Sequence, residues 1–474
     1  MMSWDPRRLH DRAPLPRAVA VAALVAFMAV TFFVAWHHEA WRDEADPWLR
    51  ARDGDFRTLV LRGAYTGYPI LWHILLVPLA KSGLPYFSQS VLHLAIAAAA
   101  VALLLWRLPL AWPTRLLAAF SYFFAYEYAV IARASAPAIA LAFAAAAMHR
   151  QRAARPFAYA AVLALLFNVS AQGFIVAGAL AALFVLELRP RGGRALGAAA
   201  IMAAAAALSA LQVRTPPDPS RIGRLHPFDF GAFVSSIADA FFPTLPPWPA
   251  FLAGVVLIGL LALALQRSRA ALLVFWLPFA VLTLLYGYVW YGGVRHAGFV
   301  LVLALLAIAV GEPEGAERRY AAAAALLLNL ALAISCVVAA RFWIVDTNEA
   351  FSGAEEMGEF IRGHGLERFD VAAHSAQQAE AVLPYLPGKR FWYAGIGEEG
   401  SYMEWDAAYE RGLDVWYPVA ELRARQHFAG RPWLLLFNVE MPDPAAHGFR
   451  LLYTNRRPIF AKKDERFWLY APLR

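Results

Sequence analysis

Charge and cysteine are scarce in this chain. Of its 474 residues 16% are charged and 60% are hydrophobic, where a soluble domain carries roughly 25% charged residues, so a soluble globular protein is excluded. The single cysteine, Cys336, excludes a disulfide framework; it lies in an apolar run, where a small buried hydrophobe is its ordinary role. No HExxH, CxxC, P-loop or GxGxxG pattern occurs, which leaves zinc hydrolysis and nucleotide binding without support. No clear internal repeat is visible.

What charge there is divides unevenly. Residues 1–340 hold 27 basic and 16 acidic residues, whereas residues 341–474 hold 16 and 19. The positive excess therefore belongs to loops between apolar runs, and nucleic acid is not an expected partner. Apolar runs long enough to cross a bilayer fall at about 17–36, 86–106, 115–132, 135–149, 155–171, 173–188, 194–212, 249–266, 270–289, 294–311 and 320–340. These eleven predict a polytopic α-helical membrane protein with its transmembrane domain over 1–340. "PILWHILLVPLA" (69–80) is too short to span and reads as re-entrant or interfacial.

Arginines orient the spans. With Arg7, Arg8, Arg12 and Arg17 in the cytoplasm, the loops at 107–115, 149–155, 189–194, 266–269 and 317–319 fall on the same side, each with at least two arginines. The loops at 37–85 and 213–248 and everything after 341 then face outwards. Arg214, Arg221 and Arg224 are exceptions to the rule. The first run, Ala18 to Trp36, is long enough to span and lacks a small-residue cleavage site, so it reads as an anchor rather than a signal peptide. A multi-pass protein of the plasma (inner) membrane is expected.

The tail, 341–474, reads as a folded extracytoplasmic α/β domain. "RFDVAAH", "KRFWYAG", "PWLLLFNV", "GFRLLYT" and "RFWLYA" have strand composition between turn formers. "SGAEEMGEFIRGHG" has a serine cap, early acids and terminal glycines, the start and stop signals of a helix. A second helix is expected over 375–386, and alternation of strands with helices favours an α/β fold. "YAGIGEEGSYMEWD" (393–406) is a candidate acceptor-facing loop, although Trp405 serves a domain core equally well.

Six of the 16 acids before position 341 lie in "WHHEAWRDEADPWLRARDGD" (36–55), directly after the first span. Trp36, Trp41 and Trp48 are ordinary for a membrane interface. Asp46–Pro47 is a helix-start signal that gives Asp46 a capping role, and Asp53 and Asp55 flank Gly54 in a turn. Glu39, Asp43 and Glu44 have no such ready role, beyond pairing with Arg42 and Arg50. Glu127, in "SYFFAYEYAVIAR", is an acid within a span; it is a functional candidate by default, or else a partner of Arg133 or of a tyrosine. Arg133, Arg295 and His296 begin spans on the same face, and arginine suits phosphate recognition as well as lipid snorkelling. Gly292–Gly293 could let backbone approach an anion. A carboxylate beside phosphate-binding arginines implies group transfer from a lipid phosphate, with the carboxylate as general base. A divalent metal ion in the acid cluster is open, since nothing fixes a ligand geometry.

These stretches resemble the GT-C glycosyltransferases, a superfamily that includes the protein O-mannosyltransferases and the lipid A aminoarabinose transferase. The resemblance is carried by "WRDEADPWLRARDGD" and the following "GYPILWHILLVPLAKSGLP", and is best over the first 150 residues. It implies an inverting transfer of sugar from a polyprenyl-phosphate donor to a glycan, lipid or protein acceptor. Asp43 matches the catalytic aspartate, with Glu44 beside it. Gly67-Tyr68-Pro69 sits where relatives often carry Lys-Pro-Pro or Gly-His-Pro. The second acid that many relatives have at the start of the fourth span is missing from "ARASAPA", which makes Glu127 the nearest candidate. The lysine some relatives carry after the proline-aromatic turn is also missing, which leaves donor phosphate to Arg133, Arg295 or Lys81. Glu39, Tyr68 and His296 complete the candidate substrate-binding set. The competing reading is a non-enzymatic transporter or envelope-assembly protein. A transporter is expected to carry charge near the bilayer midplane, whereas these charges gather on one face.

Overall fold

A helix of about twenty apolar residues is about 30 Å long and offers water no polar face, so a bilayer is its natural solvent. The computed structural model describes residues 15–61, 68–189, 192–214, 225–311 and 318–473. In chain order its helices up to the tail are α1 (Arg17–His37), α2 (Arg42–Asp53), α3 (Phe56–Leu61), α4 (Leu71–Lys81), α5 (Ser88–Trp106), α6 (Trp112–Phe120), α7 (Ser135–Met148), α8 (Pro156–Phe167), α9 (Ala171–Leu188), α10 (Gly193–Gln212), α11 (Phe230–Phe241), α12 (Pro247–Leu265), α13 (Arg269–Tyr288), α14 (Val294–Val310) and α15 (Arg318–Asn348). Among the described residues α1, α5, α9, α10, α12, α13 and α15 are long and apolar enough to cross a membrane, while α4, α8, α11 and α14 are shorter apolar helices. The chain is a polytopic helical membrane protein.

Three expectations need correction. The run 115–132 is not one helix. α6 stops at Phe120, a π-helical turn follows over Phe123–Glu127, and irregular turns lead to Arg133. Non-helical backbone is tolerated inside a bundle when protein satisfies its polar groups. Here Ser335 Oγ accepts from the Tyr122 N–H (3.0 Å), Trp343 Nε1 donates to the Ala125 carbonyl (2.9 Å), and Glu44 Oε1 accepts from the Ala132 N–H (2.6 Å). The loop 213–248 contains α11, whose start is capped by the Asp229 side chain accepting from the Ala232 N–H (2.9 Å) and which packs on α12 and α14. The last apolar helix continues past 340 to Asn348. Arg7, Arg8, Arg12, Gly67, Arg191, Arg221 and Arg224 lie outside the described residues.

The tail folds as expected. Strands β1 (Asp370–His374), β2 (Phe391–Tyr393), β3 (Glu398–Gly400), β4 (Trp433–Phe437), β5 (Phe449–Thr454) and β6 (Trp468–Pro472) form one sheet in the order β3-β2-β1-β4-β6-β5. β1 runs parallel to β2 and β4; the other pairings are antiparallel. Side-chain alternation builds two cores. Val371, Ala373, Leu434 and Leu436 face α16 (Ala354–Gly363), whereas Ala372, Trp433, Leu435 and Phe437 face Ala420 and Ala424 of α19 (Tyr417–His427). Segment 375–386 splits into α17 (Ala376–Ala379) and a 3₁₀ turn, Glu380–Tyr385; α18 (Ala407–Leu413) completes the domain. Residues 398–400, within the candidate acceptor loop, instead pair with β2.

Helix α2 joins the two parts. Ala45 and Leu49, one turn apart, enter the core of the α/β domain, while Trp41, Trp48 and Ala51 join the core of the helical bundle. The helix starts at Arg42, not at the Asp46–Pro47 signal. Glu44, three residues past the N-cap Trp41, accepts from the Trp41 N–H (3.4 Å) and so caps an earlier start. Pro47 falls inside the helix, and Asp46 accepts from Arg50 Nε (2.9 Å) instead of capping.

Candidate functional site

Asp43 and Glu44 sit side by side in the first turn of α2, where the helix dipole favours acids. A step of one residue turns them about 100° apart, and their surroundings differ accordingly. Glu44 is fully buried. Besides the Trp41 and Ala132 N–H groups, it contacts His38 Nε2 at 3.0 Å, and His38 Nδ1 contacts Asp346 Oδ2 on α15 at 2.8 Å. Tyr126 donates to the same Asp346 oxygen (3.0 Å). Burial lowers the His38 pKa, but the two carboxylates outweigh it and hold the imidazole protonated well above its ordinary range. The arrangement fastens α2 to α1, α15 and the turn before α7.

Asp43 is only partly buried and faces cations. Its Oδ2 accepts from Arg133 Nη1 at 2.8 Å and from Arg295 Nη1 at 2.9 Å. Arg133 also donates from Nη2 to the Tyr68 hydroxyl (2.6 Å), and Arg42 Nε lies 3.8 Å from Asp43 Oδ1. Burial would raise the Asp43 pKa; Arg133, Arg295, Arg42 and Lys462 prevail and hold it at about 2. The four cations also surround one indole: Lys462 Nζ is 3.4 Å from the Trp41 ring centroid, and the Arg295, Arg42 and Arg133 guanidinium carbons are 5.3, 5.4 and 5.8 Å away. An ionised carboxylate, polarised donors and an aromatic floor make a site suited to an anion beside a base.

The expected site residues thus separate. Asp43, Arg133, Arg295 and Tyr68 come together. Glu44 turns into the buried lattice, and Glu39 accepts from the Phe351 N–H (2.9 Å) and pairs with Arg457 at the seam with the α/β domain. Lys81 donates to the carbonyls of Gly54 (3.0 Å) and Arg52 (3.4 Å), so it holds the turn after α2. His296 bonds through Nδ1 to the Tyr291 carbonyl (2.6 Å) and rests against Trp290 and Tyr286. Glu127 accepts from the Tyr122 hydroxyl (2.8 Å) at the end of the π-helical turn. Among the described residues no three His, Cys, Asp or Glu side chains converge in a metal-binding arrangement. Sequence reasoning missed Trp41 as a floor and Lys462 as a neighbour; Lys462 arrives from the far end of the chain, between β5 and β6, so no local pattern announces it.

Fold and site together define a class: a helical membrane bundle capped by an α/β domain, with a carboxylate and several cations where the two meet. Among the solved structures that share this architecture are two of ArnT from Cupriavidus metallidurans. The structure bound to undecaprenyl phosphate gives 12% identity and a TM-score of 0.55; the apo structure gives 14% and 0.53. Each comparison covers 96% of this chain and 98% of the other. At these identities the likeness is one of fold. No protein-family profile and no curated protein sequence matches the chain.

Proposed function

We propose that the chain is a GT-C type inverting glycosyltransferase that moves a sugar from a polyprenyl-phosphate donor to an acceptor hydroxyl or amine. The observation that carries this reading is the Asp43 carboxylate bonded to both Arg133 and Arg295 at the junction of bundle and α/β domain. The ArnT-like fold supports the donor class, because that protein has been crystallised with undecaprenyl phosphate. The arginine-rich loops support a cytoplasmic N-terminus and an extracytoplasmic site in a bacterial inner membrane, where nucleotide sugars are not expected and a lipid-borne donor is.

The roles follow from charge. In the free protein two guanidiniums hold Asp43 ionised but poorly basic. A donor phosphate competes for the same N–H groups, draws them off the carboxylate and leaves it more basic. Asp43 then takes the proton from the acceptor hydroxyl or amine as that atom forms its bond to the anomeric carbon. The bond from that carbon to the phosphate oxygen breaks, and its electron pair leaves with the lipid phosphate. Arg133 and Arg295 stabilise the leaving anion, so no proton donor is needed. Tyr68 orients Arg133; Glu44 and Glu39 position α2 and its junction with the α/β domain.

The test is transfer from radiolabelled polyprenyl-phosphate sugars by the purified full-length protein in lipid. The expected result is a labelled glycosidic product together with free polyprenyl phosphate. Solute uptake into vesicles without such a product would overturn the reading in favour of a transporter.

A further inference from the structure

Lys462 is placed by backbone, not by a carboxylate. Its N–H donates to the Phe351 carbonyl (2.9 Å), and the Phe460 N–H donates to the Ala350 carbonyl (3.0 Å). These bonds tie the strand-connecting segment of the α/β domain to the chain just beyond α15 and hold the ammonium over Trp41. Arg42, beside it, is matched by Asp464 at 2.6 Å. Arg133 and Arg295 share Asp43, and Glu127 is bonded to Tyr122. Among the described residues Lys462 has no carboxylate within ion-pair distance, so Arg133, Arg295 and Lys462 share one directly bonded carboxylate, Asp43, with Glu127 acting on all three from farther away.

That imbalance distinguishes two ligands of the same site. An intact polyprenyl-phosphate sugar is a phosphodiester with one negative charge, which the two arginines can match once they leave Asp43. The lipid phosphate released by transfer is a monoester whose second ionisation lies near pH 6, so it carries close to two charges at neutral pH and above. A third cation has work only when the second charge develops. Burial and the neighbouring Arg295 and Arg42 depress the Lys462 ammonium, and an arriving anion relieves that pressure.

We propose that Lys462 makes the site selective for a phosphate monoester dianion over a phosphodiester, so that the α/β domain supplies the charge that stabilises the departing lipid phosphate. The proposal rests on the glycosyl-transfer reading and adds to it a residue, a charge state and a consequence: the free lipid phosphate is a strong product inhibitor. The cation–π contact with Trp41 keeps the ammonium in place without neutralising it.

Binding of geranyl monophosphate and of its methyl diester to the full-length protein in detergent tests this. At pH 8 the wild type is expected to prefer the monoester by at least about tenfold, the order of one added charged hydrogen bond. The preference should shrink as pH falls from 8 to 5 and the monoester loses its second charge. Lys462→Met, which keeps length and packing over the indole, should bring the ratio near one by weakening the monoester far more than the diester; Lys462→Arg should keep the preference. Equal binding of both esters by wild type, or an undiminished preference in Lys462→Met, overturns the proposal while leaving the glycosyl-transfer reading intact. Failure of the wild type to bind either ester overturns both.

Discussion

Asp43 and Glu44 are neighbours in the chain and occupy opposite electrostatic regions. Around Glu44, two carboxylates enclose one imidazolium, every contact is buried, and the partners come from α1, α15 and the turn after the π-helical segment. Around Asp43, cations outnumber the carboxylate, the side chain keeps 21% of its surface exposed, and an aromatic ring forms the floor. In the first region the two carboxylates are met by buried donors: His38, the Tyr126 hydroxyl and the Trp41 and Ala132 N–H groups. The second is balanced only when another anion arrives. Identity and position in sequence are nearly the same for the two acids; what separates structure from function is whether the acid is met by buried donors or stands among cations in excess.

That contrast can be broken at each side. The largest effect is expected at the closed region. Glu44→Ala leaves the His38 imidazolium and the Ala132 N–H short of a partner in a buried setting, and stability should fall by about 3–5 kcal/mol, read as thermal unfolding in detergent. A stable Glu44→Ala protein would mean that the lattice is not what fastens α2. Next, Arg295→Ala opens the cationic region further. Binding of a polyprenyl-phosphate analogue should weaken by about ten- to a hundredfold, as for loss of a hydrogen bond to a charged group, while unfolding stays near that of wild type. Unchanged binding would return Arg295 to the lipid-facing arginines.

A smaller, pH-dependent effect is expected at the seam between the regions. Glu465 is buried beneath Arg42, and burial pushes its pKa up to about 8 against the pull of that guanidinium. A carboxyl whose folded pKa is raised contributes stability that is present below its ordinary value of 4.5 and is lost as pH rises through about 8. Thermal stability should therefore decline between pH 5 and 9, and Glu465→Gln should flatten that slope. Asp43 shows the opposite sign. Its depressed pKa keeps its ion pairs intact above about pH 4 and releases them only as pH falls toward 2, so in the ligand-free protein Asp43 is not expected to titrate near pH 6.

Much of this was legible in the residues. Ten of the eleven expected runs form one helix each, and seven of those helices are long and apolar enough to cross a membrane, because a helix surrounded by lipid or by other helices needs little else. The strands of the tail announced themselves through aliphatic and aromatic clusters between turn formers. The run 115–132 misled because its residues stay apolar and buried while its backbone leaves the helix; its hydrogen-bond partners, Ser335, Trp343 and Glu44, lie far away in sequence. The start of α2 misled because two start signals compete, and the Glu44 carboxylate outdid Asp46–Pro47. At the site, Asp43, Arg133 and Arg295 could be picked by type and by face of the bundle, since each begins or follows a span. Glu44 could not be told from Asp43, because the difference is rotation about a helix axis against partners that only the fold supplies. Lys462 was invisible for a related reason: it is one of two adjacent lysines in a turn, and only the pairing of Ala350 with Ile459 brings that turn over Trp41.

The central claim is tested most directly by comparing Asp43→Asn with Glu44→Gln in sugar transfer from a labelled polyprenyl-phosphate donor, with the fold of each checked by its unfolding temperature. Asparagine keeps the shape and the hydrogen-bonding capacity of Asp43 but takes no proton. The account predicts a loss of at least ~100-fold in rate for Asp43→Asn, measured on the folded protein. It predicts for Glu44→Gln a lowered unfolding temperature, with transfer retained by the folded fraction. Full transfer by Asp43→Asn, or loss of transfer by a fully folded Glu44→Gln, would contradict it.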